Sequence, residues 1–325
     1  MVVVTVNCLS GASSELDPLL AEVPGALATL MAALGGGGAV AAPSLEGAAA
    51  QSSANALCLI ADAGPELARR VVEVSGALAT LVAAVAAGGA AAAYSLDEAM
   101  ASNSAVVLRV LASADPELTR HVAEVPGALA TLAAAVAAGG AAAAPDVQLA
   151  AANSATVLRG MAEAGAELAR RVAEVPGALV ALAAATAAGG LAAAPSLQRR
   201  AANSADALCF IAEAAPELAR RVAKASGAFQ ALTAALNHGG STAAAAGRAV
   251  ATIRTWAETA AAAAGSTACG QCGRSADGTA GLRMRVCAGC NTMRFCNSEC
   301  QRHAWSGHKA ACRVIATTRG ANGDA

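Results

Sequence analysis

Residues 127–140 read GALATLAAAVAAGG. Leu129, Leu132 and Val136 fall at i, i+3 and i+7, which places them on one face of an α-helix, and Gly139-Gly140 follows as a stop. The same phrase recurs along the chain. A glycine precedes Ala-Leu or Ala-Phe at Gly25, Gly76, Gly127, Gly177 and Gly227, spacings of 51, 51, 50 and 50 by subtraction. Behind each glycine comes the same face: Leu27, Leu30, Leu34; Leu78, Leu81, Val85; Leu179, Leu182, Thr186; Phe229, Leu232, Leu236. Paired glycines close the copies at Gly88-Gly89, Gly139-Gly140, Gly189-Gly190 and Gly239-Gly240.

Each unit predicts two further helices. One carries Ala101, Ala105, Leu108 and Leu111, repeated as Ala151, Ala155, Leu158, Met161 and as Ala201, Ala205, Leu208, Ile211. A short one carries Glu66, Leu67, Arg69 and Arg70, echoed by Glu217, Leu218, Arg220 and Arg221. Glutamate four residues before arginine, as in Glu66 with Arg70 and Glu167 with Arg171, makes an exposed supporting pair, so the arginines read as a solvated ridge. Three helices with one apolar stripe each cannot bury themselves singly. Stacked at a fixed period they share a continuous core, the logic of an α-solenoid. The last unit reads as shortened, with Val250, Ile253 and Trp256 on one face closing the stack.

The units resemble armadillo repeats over about residues 14–258, through the Gly-Ala-Leu-x-x-Leu start and the Ala-x3-Ala-x2-Leu-x2-Leu-like helix. The resemblance implies an all-α, armadillo-like α-solenoid of about five repeats, with HEAT-like stacking of the same helices as the alternative. Armadillo proteins that grip extended peptides carry an asparagine between the last two leucines of that helix. Here Leu59, Val110, Gly160 and Phe210 hold the position. Asn103, Asn153 and Asn203 lie seven residues earlier, either lining the concave surface or serving as polar caps at a helix start.

A different chemistry fills residues 269–312. Seven of the ten cysteines lie there, as Cys269-x2-Cys272, Cys287-x2-Cys290, Cys296-x3-Cys300 and His308-x3-Cys312. Two intervening residues let a tight knuckle aim both sulfurs at one metal, and three put both ligands on one helical face. Eight soft ligands close two tetrahedral zinc sites with no open position. His303 is the rival to His308, but it lies too close to Cys300 to share that cysteine's helical face.

The finer pattern resembles the MYND zinc finger. Phe295 precedes Cys296, Gln301 follows Cys300, and Trp305, His308, Lys309 and Cys312 close the motif. The resemblance implies two structural Zn2+ ions in an interleaved arrangement. Cys269, Cys272, Cys296 and Cys300 would hold one, and Cys287, Cys290, His308 and Cys312 the other. It also implies binding of a protein partner through a short proline-containing peptide, with Phe295, Gln301 and Trp305 as contact residues. MYND fingers occur within certain lysine methyltransferases too, but those carry a large SET domain that nothing here resembles. The 14-residue gap between Cys272 and Cys287, with Gly278 and Gly281, reads as a flexible loop.

The division that follows is an N-terminal segment at 1–13, repeats at 14–258, a linker at 259–268, the finger at 269–312 and a disordered tail at 313–325. Val2, Val3, Val4, Thr5 and Val6 allow a short strand or a ragged end. Met1 to Leu9 carries no positive side chain, so no signal peptide is expected. Cys8, Cys58 and Cys209, outside the finger, have no spacing and read as buried free thiols. With zinc thiolates they favour a reducing, intracellular compartment. Ser75 to Leu96 carries no charge over 22 residues, enough to span a bilayer. Alanine drives insertion poorly, however, and the register recurs from copy to copy, so membrane spans are not expected.

Residues 1–268 hold 14 basic and 20 acidic side chains, and residues 269–325 hold 8 and 3. Seven thiolates and two zinc ions bring the finger region from +5 to near +2. A nucleic-acid-associated regulator using the basic finger is the alternative function, weakened by that figure. No catalytic constellation is visible. Saturated ligands leave zinc no position for water, the glycine pairs end helices rather than cradle phosphate, and His121 and His238 are isolated. The expected function is a zinc-binding interaction protein, not an enzyme.

Overall fold

The computed structural model describes residues 21–36, 45–90, 96–190, 192–263, 269, 272, 284–290 and 293–321. The N-terminal segment 1–13, the glycine-containing loop between Cys272 and Met284, and residues 264–268 and 322–325 lie outside the described residues. The first repeat contributes α1 (Ala26–Gly36) and α2 (Leu45–Asp62). Then come α3 (Pro65–Glu73), α4 (Ala77–Ala90) and α5 (Leu96–Ala114), followed by α6 (Pro116–Glu124), α7 (Ala128–Ala138) and α8 (Pro145–Glu163). The fourth repeat is α9 (Ala166–Glu174), α10 (Ala178–Ala187) and α11 (Pro195–Ala214), and the fifth α12 (Pro216–Lys224), α13 (Ala228–Ala235) and α14 (Gly240–Ala263). The finger adds the strands β1 (Arg285–Val286) and β2 (Arg294–Phe295) and the helix α15 (Ser298–Ala321).

The long helices α2, α5, α8, α11 and α14 pack in succession as one layer, and α1, α4, α7, α10 and α13 as a second. Between them Leu108, Leu111, Leu158, Met161, Leu208 and Ile211 are fully enclosed, as the periodicity predicts. The alanines are not filler. An added Cβ on Gly139 would stand 2.2 Å from Ala151 Cβ, and one on Gly189 2.0 Å from Ala201 Cβ. Small residues therefore let the middle and long helices of a unit approach backbone to backbone.

Short and middle helices meet at nearly a right angle, 91° between α3 and α4 and 93° between α6 and α7. The corner is the repeated glycine, left-handed at Gly127 (φ 80°) and Gly177 (φ 81°). An L side chain there would be strained, which is why the glycine opens every copy. The second glycine signal works differently at Gly88-Gly89, where α4 runs on to Ala90 instead of stopping. Leu236 also departs from its expected face. α13 ends at Ala235, leaving Leu236 40% exposed.

The arginine ridge is not simply solvated. The second arginine of a pair reaches back to the preceding repeat: Arg171 Nη2 donates to the Ala123 carbonyl at 2.7 Å and Arg221 Nη2 to Ala173 at 3.0 Å, and Arg70 does the same to Ala21. The Ala123 and Ala173 carbonyls lie in the last turn of a short helix, where acceptors lack helical partners and the dipole favours a cation. The glutamates pair instead with the first arginine, at i, i+3: Glu66 with Arg69 at 3.4 Å and Glu167 with Arg170 at 2.9 Å. In the third repeat the second arginine is replaced by His121. That junction is bridged by Arg69 and Asp115 at 2.7 Å, and Asp115 also caps α6 through the Glu117 amide.

Asn103, Asn153 and Asn203 lie inside α5, α8 and α11 rather than at their starts, so they are not helix-start caps. Asn203 donates to Thr156 Oγ1 of the preceding long helix at 2.7 Å. Arg200, at a position held by Met100 and Ala150 in earlier copies, is buried. Its guanidinium caps α7 by donating to the Gly139 carbonyl, and burial lowers its pKa. Cys58 and Cys209 are free thiols, pushed up to about 11 and about 12 chiefly by burial. Among the described residues no single helix is long and apolar enough to cross a membrane. The two bent helix pairs above pass by length and composition only.

The fifth repeat is shortened in its connection, since α14 begins at Gly240, the second glycine of the pair, while the helix itself spans 24 residues. Val250 and Ile253 are buried in it and Trp256 half-buried. The finger helix α15 packs against α14 and α12, so the finger covers that end of the stack. Helix α14 takes up residues 259–263 of the expected linker, and α15 extends through residues 313–321, where a disordered tail was expected.

Candidate metal centre

The finger's polypeptide is short and its apolar residues few, so local turns must place its ligands. β1 and β2 pair antiparallel, with Arg285 opposite Phe295 and Val286 opposite Arg294. The Cys287 amide donates to the Met293 carbonyl at 2.9 Å, closing the hairpin at the knuckle. There an added Cβ on Gly289 would lie 2.8 Å from Cys312 Sγ, so only glycine lets the knuckle wrap the sulfur. After β2, Asn297 accepts the Cys300 amide at 2.8 Å through Oδ1, capping α15 and fixing the ligand's first turn. The sequence reading overlooked Asn297, although an asparagine just before Ser298-Glu299 is an ordinary N-cap signal.

Two clusters result. Cys269, Cys272, Cys296 and Cys300 form one, and Cys287, Cys290, His308 and Cys312 the other, each with its ligand atoms within 4.8 Å of one another. In the first, Cys272 and Cys296 sulfurs are 3.6 Å apart and those of Cys296 and Cys300 3.4 Å. In the second, Cys287 and Cys312 sulfurs stand 3.6 Å apart, and Cys290 Sγ lies 3.5 Å from His308 Nε2. A zinc–sulfur bond of about 2.3 Å gives a tetrahedral edge of about 3.8 Å, and a disulfide would need about 2.05 Å. The donor set and spacing fit two tetrahedral zinc ions. The pairing is interleaved, first pair with third and second with fourth, so each cluster ties together segments distant in sequence.

The electrostatics agree. Burial holds His308 below the usual imidazole range, in the neutral form a metal requires. Burial and the neighbouring Cys287 push Cys312 up to about 12, and the Cys296 thiol pushes Cys300 up to about 12. Thiols this crowded ionise together only with a cation among them. His303 belongs to neither cluster. It is 69% exposed, 3.9 Å from Glu299.

Residues 269–312 match the MYND finger family. No curated protein matches the chain by sequence. In solved structures the repeats are similar to a designed armadillo repeat protein at 19% identity and TM-score 0.55, covering 89% of this chain and 99% of that one. A computationally designed armadillo repeat protein for modular peptide recognition is similar at 21% identity and TM-score 0.59, over 77% and 91%. A third, a designed armadillo repeat protein in complex with the peptide (KR)4, is similar at 20% and 0.57, again over 77% and 91%. The likeness establishes the fold of the repeats.

Of the three contact residues expected on the MYND finger, Phe295 does not reach the surface. It is fully buried, its ring edge-on to His308 with centroids 5.9 Å apart. A small domain has few large side chains, and this one fills the space between hairpin and helix. Trp305 faces both ways: its ring stands 6.0 Å from His308, yet it is 41% exposed. Gln301, half-buried, lies one helical turn before it.

Proposed function

We propose that this chain is a non-catalytic, zinc-binding interaction scaffold. Its MYND finger holds two structural zinc ions on Cys269, Cys272, Cys296, Cys300 and on Cys287, Cys290, His308, Cys312. It recruits a protein partner by a short proline-containing peptide, and the armadillo-like repeats carry the finger. A reducing, intracellular compartment suits seven thiol ligands.

The observation that carries the reading is the exposed Trp305 beside Gln301 on one face of α15, anchored from beneath by the metal-ligand cluster. A finger this small offers no deep pocket, so a partner must lie across it in extended form. Proline-rich segments are already extended and lose little entropy on docking. Trp305 offers its ring to a proline, and Gln301 an amide to the peptide backbone. Phe295 supports this surface from within.

The deciding measurement pairs peptide binding with zinc content for Gln301→Ala and Trp305→Ala. Binding lost with two zinc equivalents retained is the expected result. Zinc lost along with binding would leave Trp305 as a structural residue and remove the support for peptide recognition.

A further inference from the structure

A crevice of about 860 Å³ opens where the fifth repeat meets the MYND helix. Lys224, at the end of α12, enters it from the solenoid. Lys309 and Arg313, one turn apart on α15, enter it from the finger. Gln230, Thr233 and Asn237 supply hydroxyl and amide groups along the wall, and no carboxylate is among the described residues that line it. The cations come from two segments far apart in sequence, which meet because the finger docks on the stack. Burial, and after it the like charge of Arg220 on the same helix, hold the Lys224 ammonium below its usual range.

We propose that this crevice binds an acidic peptide segment. Concentrated positive charge with flanking hydroxyl and amide groups suits carboxylates on a peptide, whose backbone those neutral groups can pair. A long polyanion suits it poorly. Residues 1–268 carry 20 acidic side chains against 14 basic ones, so a nucleic acid leaving the crevice along the repeats meets net negative charge. Trp305 and Gln301 do not line the crevice, although Lys309 follows Trp305 by one turn of α15, and the proposal does not depend on their recognising proline.

The test is fluorescence anisotropy of labelled hexaglutamate on the zinc-loaded full-length chain. Saturable binding is expected, weakened about tenfold by Lys224→Glu and by Arg313→Glu and retained by Lys224→Arg. Lys224 lies on the solenoid, so Lys224→Glu should keep both zinc equivalents, which separates a lost site from a damaged finger. Trp305→Ala should leave hexaglutamate binding intact even where it abolishes binding of a proline-rich peptide. The proposal is overturned if hexaglutamate does not bind saturably, or binds the wild type and Lys224→Glu equally. It is also overturned if a short DNA duplex displaces hexaglutamate and loses its own affinity in the same variants.

Discussion

Gly289 and Cys312 are placed so that a Cβ added to the glycine would stand 2.8 Å from the cysteine's sulfur. Knuckle and closing helix thus meet at a point where any side chain displaces a ligand of the second cluster. Gly289→Ala should therefore reduce zinc content from two equivalents to one, with the first cluster intact. Elemental analysis of the purified variant checks this, and two retained equivalents would show that the knuckle can yield.

Inter-repeat arginines should matter more than their exposed neighbours. Arg171 bonds across the repeat junction to the Ala123 carbonyl, whereas the ion pairs of Arg170, with Glu167 of its own helix and Glu217 of the next repeat, are solvent-exposed. Arg171→Met should cost about 1–2 kcal/mol of repeat stability and Arg170→Met about 0–1 kcal/mol. The missing member of the series can be supplied. His121→Arg, facing the last-turn carbonyls of the repeat before it, should raise the urea midpoint, and an unchanged midpoint would deny the bond a general role.

The junction between the second and third repeats should be sensitive to acid. Arg69 and the Glu117 amide hold Asp115 below its usual carboxylate range. A depressed folded-state pKa contributes stability above the unfolded value of about 3.9, lost as pH falls through the folded value. Asp115→Asn keeps the cap but not the ion pair. The wild type should exceed it in stability at pH 7, with the gap closing as pH drops below about 4. A gap constant with pH would mean that Arg69 contributes nothing through charge.

What could be read from sequence was whatever repeats or ligates. Leu158 and Leu208 announce the long helices by spacing, and the eight ligands announce their clusters by pairing. The contacts that join one repeat to the next escaped, because Arg171 and Ala123 lie 48 residues apart and local charge spacing favoured Glu167 as the partner. Arg200 escaped as well, because its burial depends on space left by Gly139 rather than on its own helix. Phe295 was misplaced for a related reason. Proximity to a ligand marks both a contact surface and a miniature core, and only the hairpin's fold on α15 decides between them.

Zinc removal should be legible in tryptophan fluorescence. The chain has two tryptophans, Trp256 half-buried in α14 and Trp305 against His308 in the finger. In a Trp256→Phe variant, emission reports on the finger alone. If the clusters organise the finger, a chelator frees His308, lets the hairpin separate from α15 and moves Trp305 into water. Emission should shift to the red, and far-ultraviolet dichroism should fall only slightly, since the solenoid core contains none of the eight ligands. Restoring two zinc equivalents should reverse the shift. An unmoved spectrum would mean that Trp305 is held by something other than the ligand cluster. A collapse of helicity would mean that the finger, docked on α12 and α14, supports the whole array instead of only covering its end.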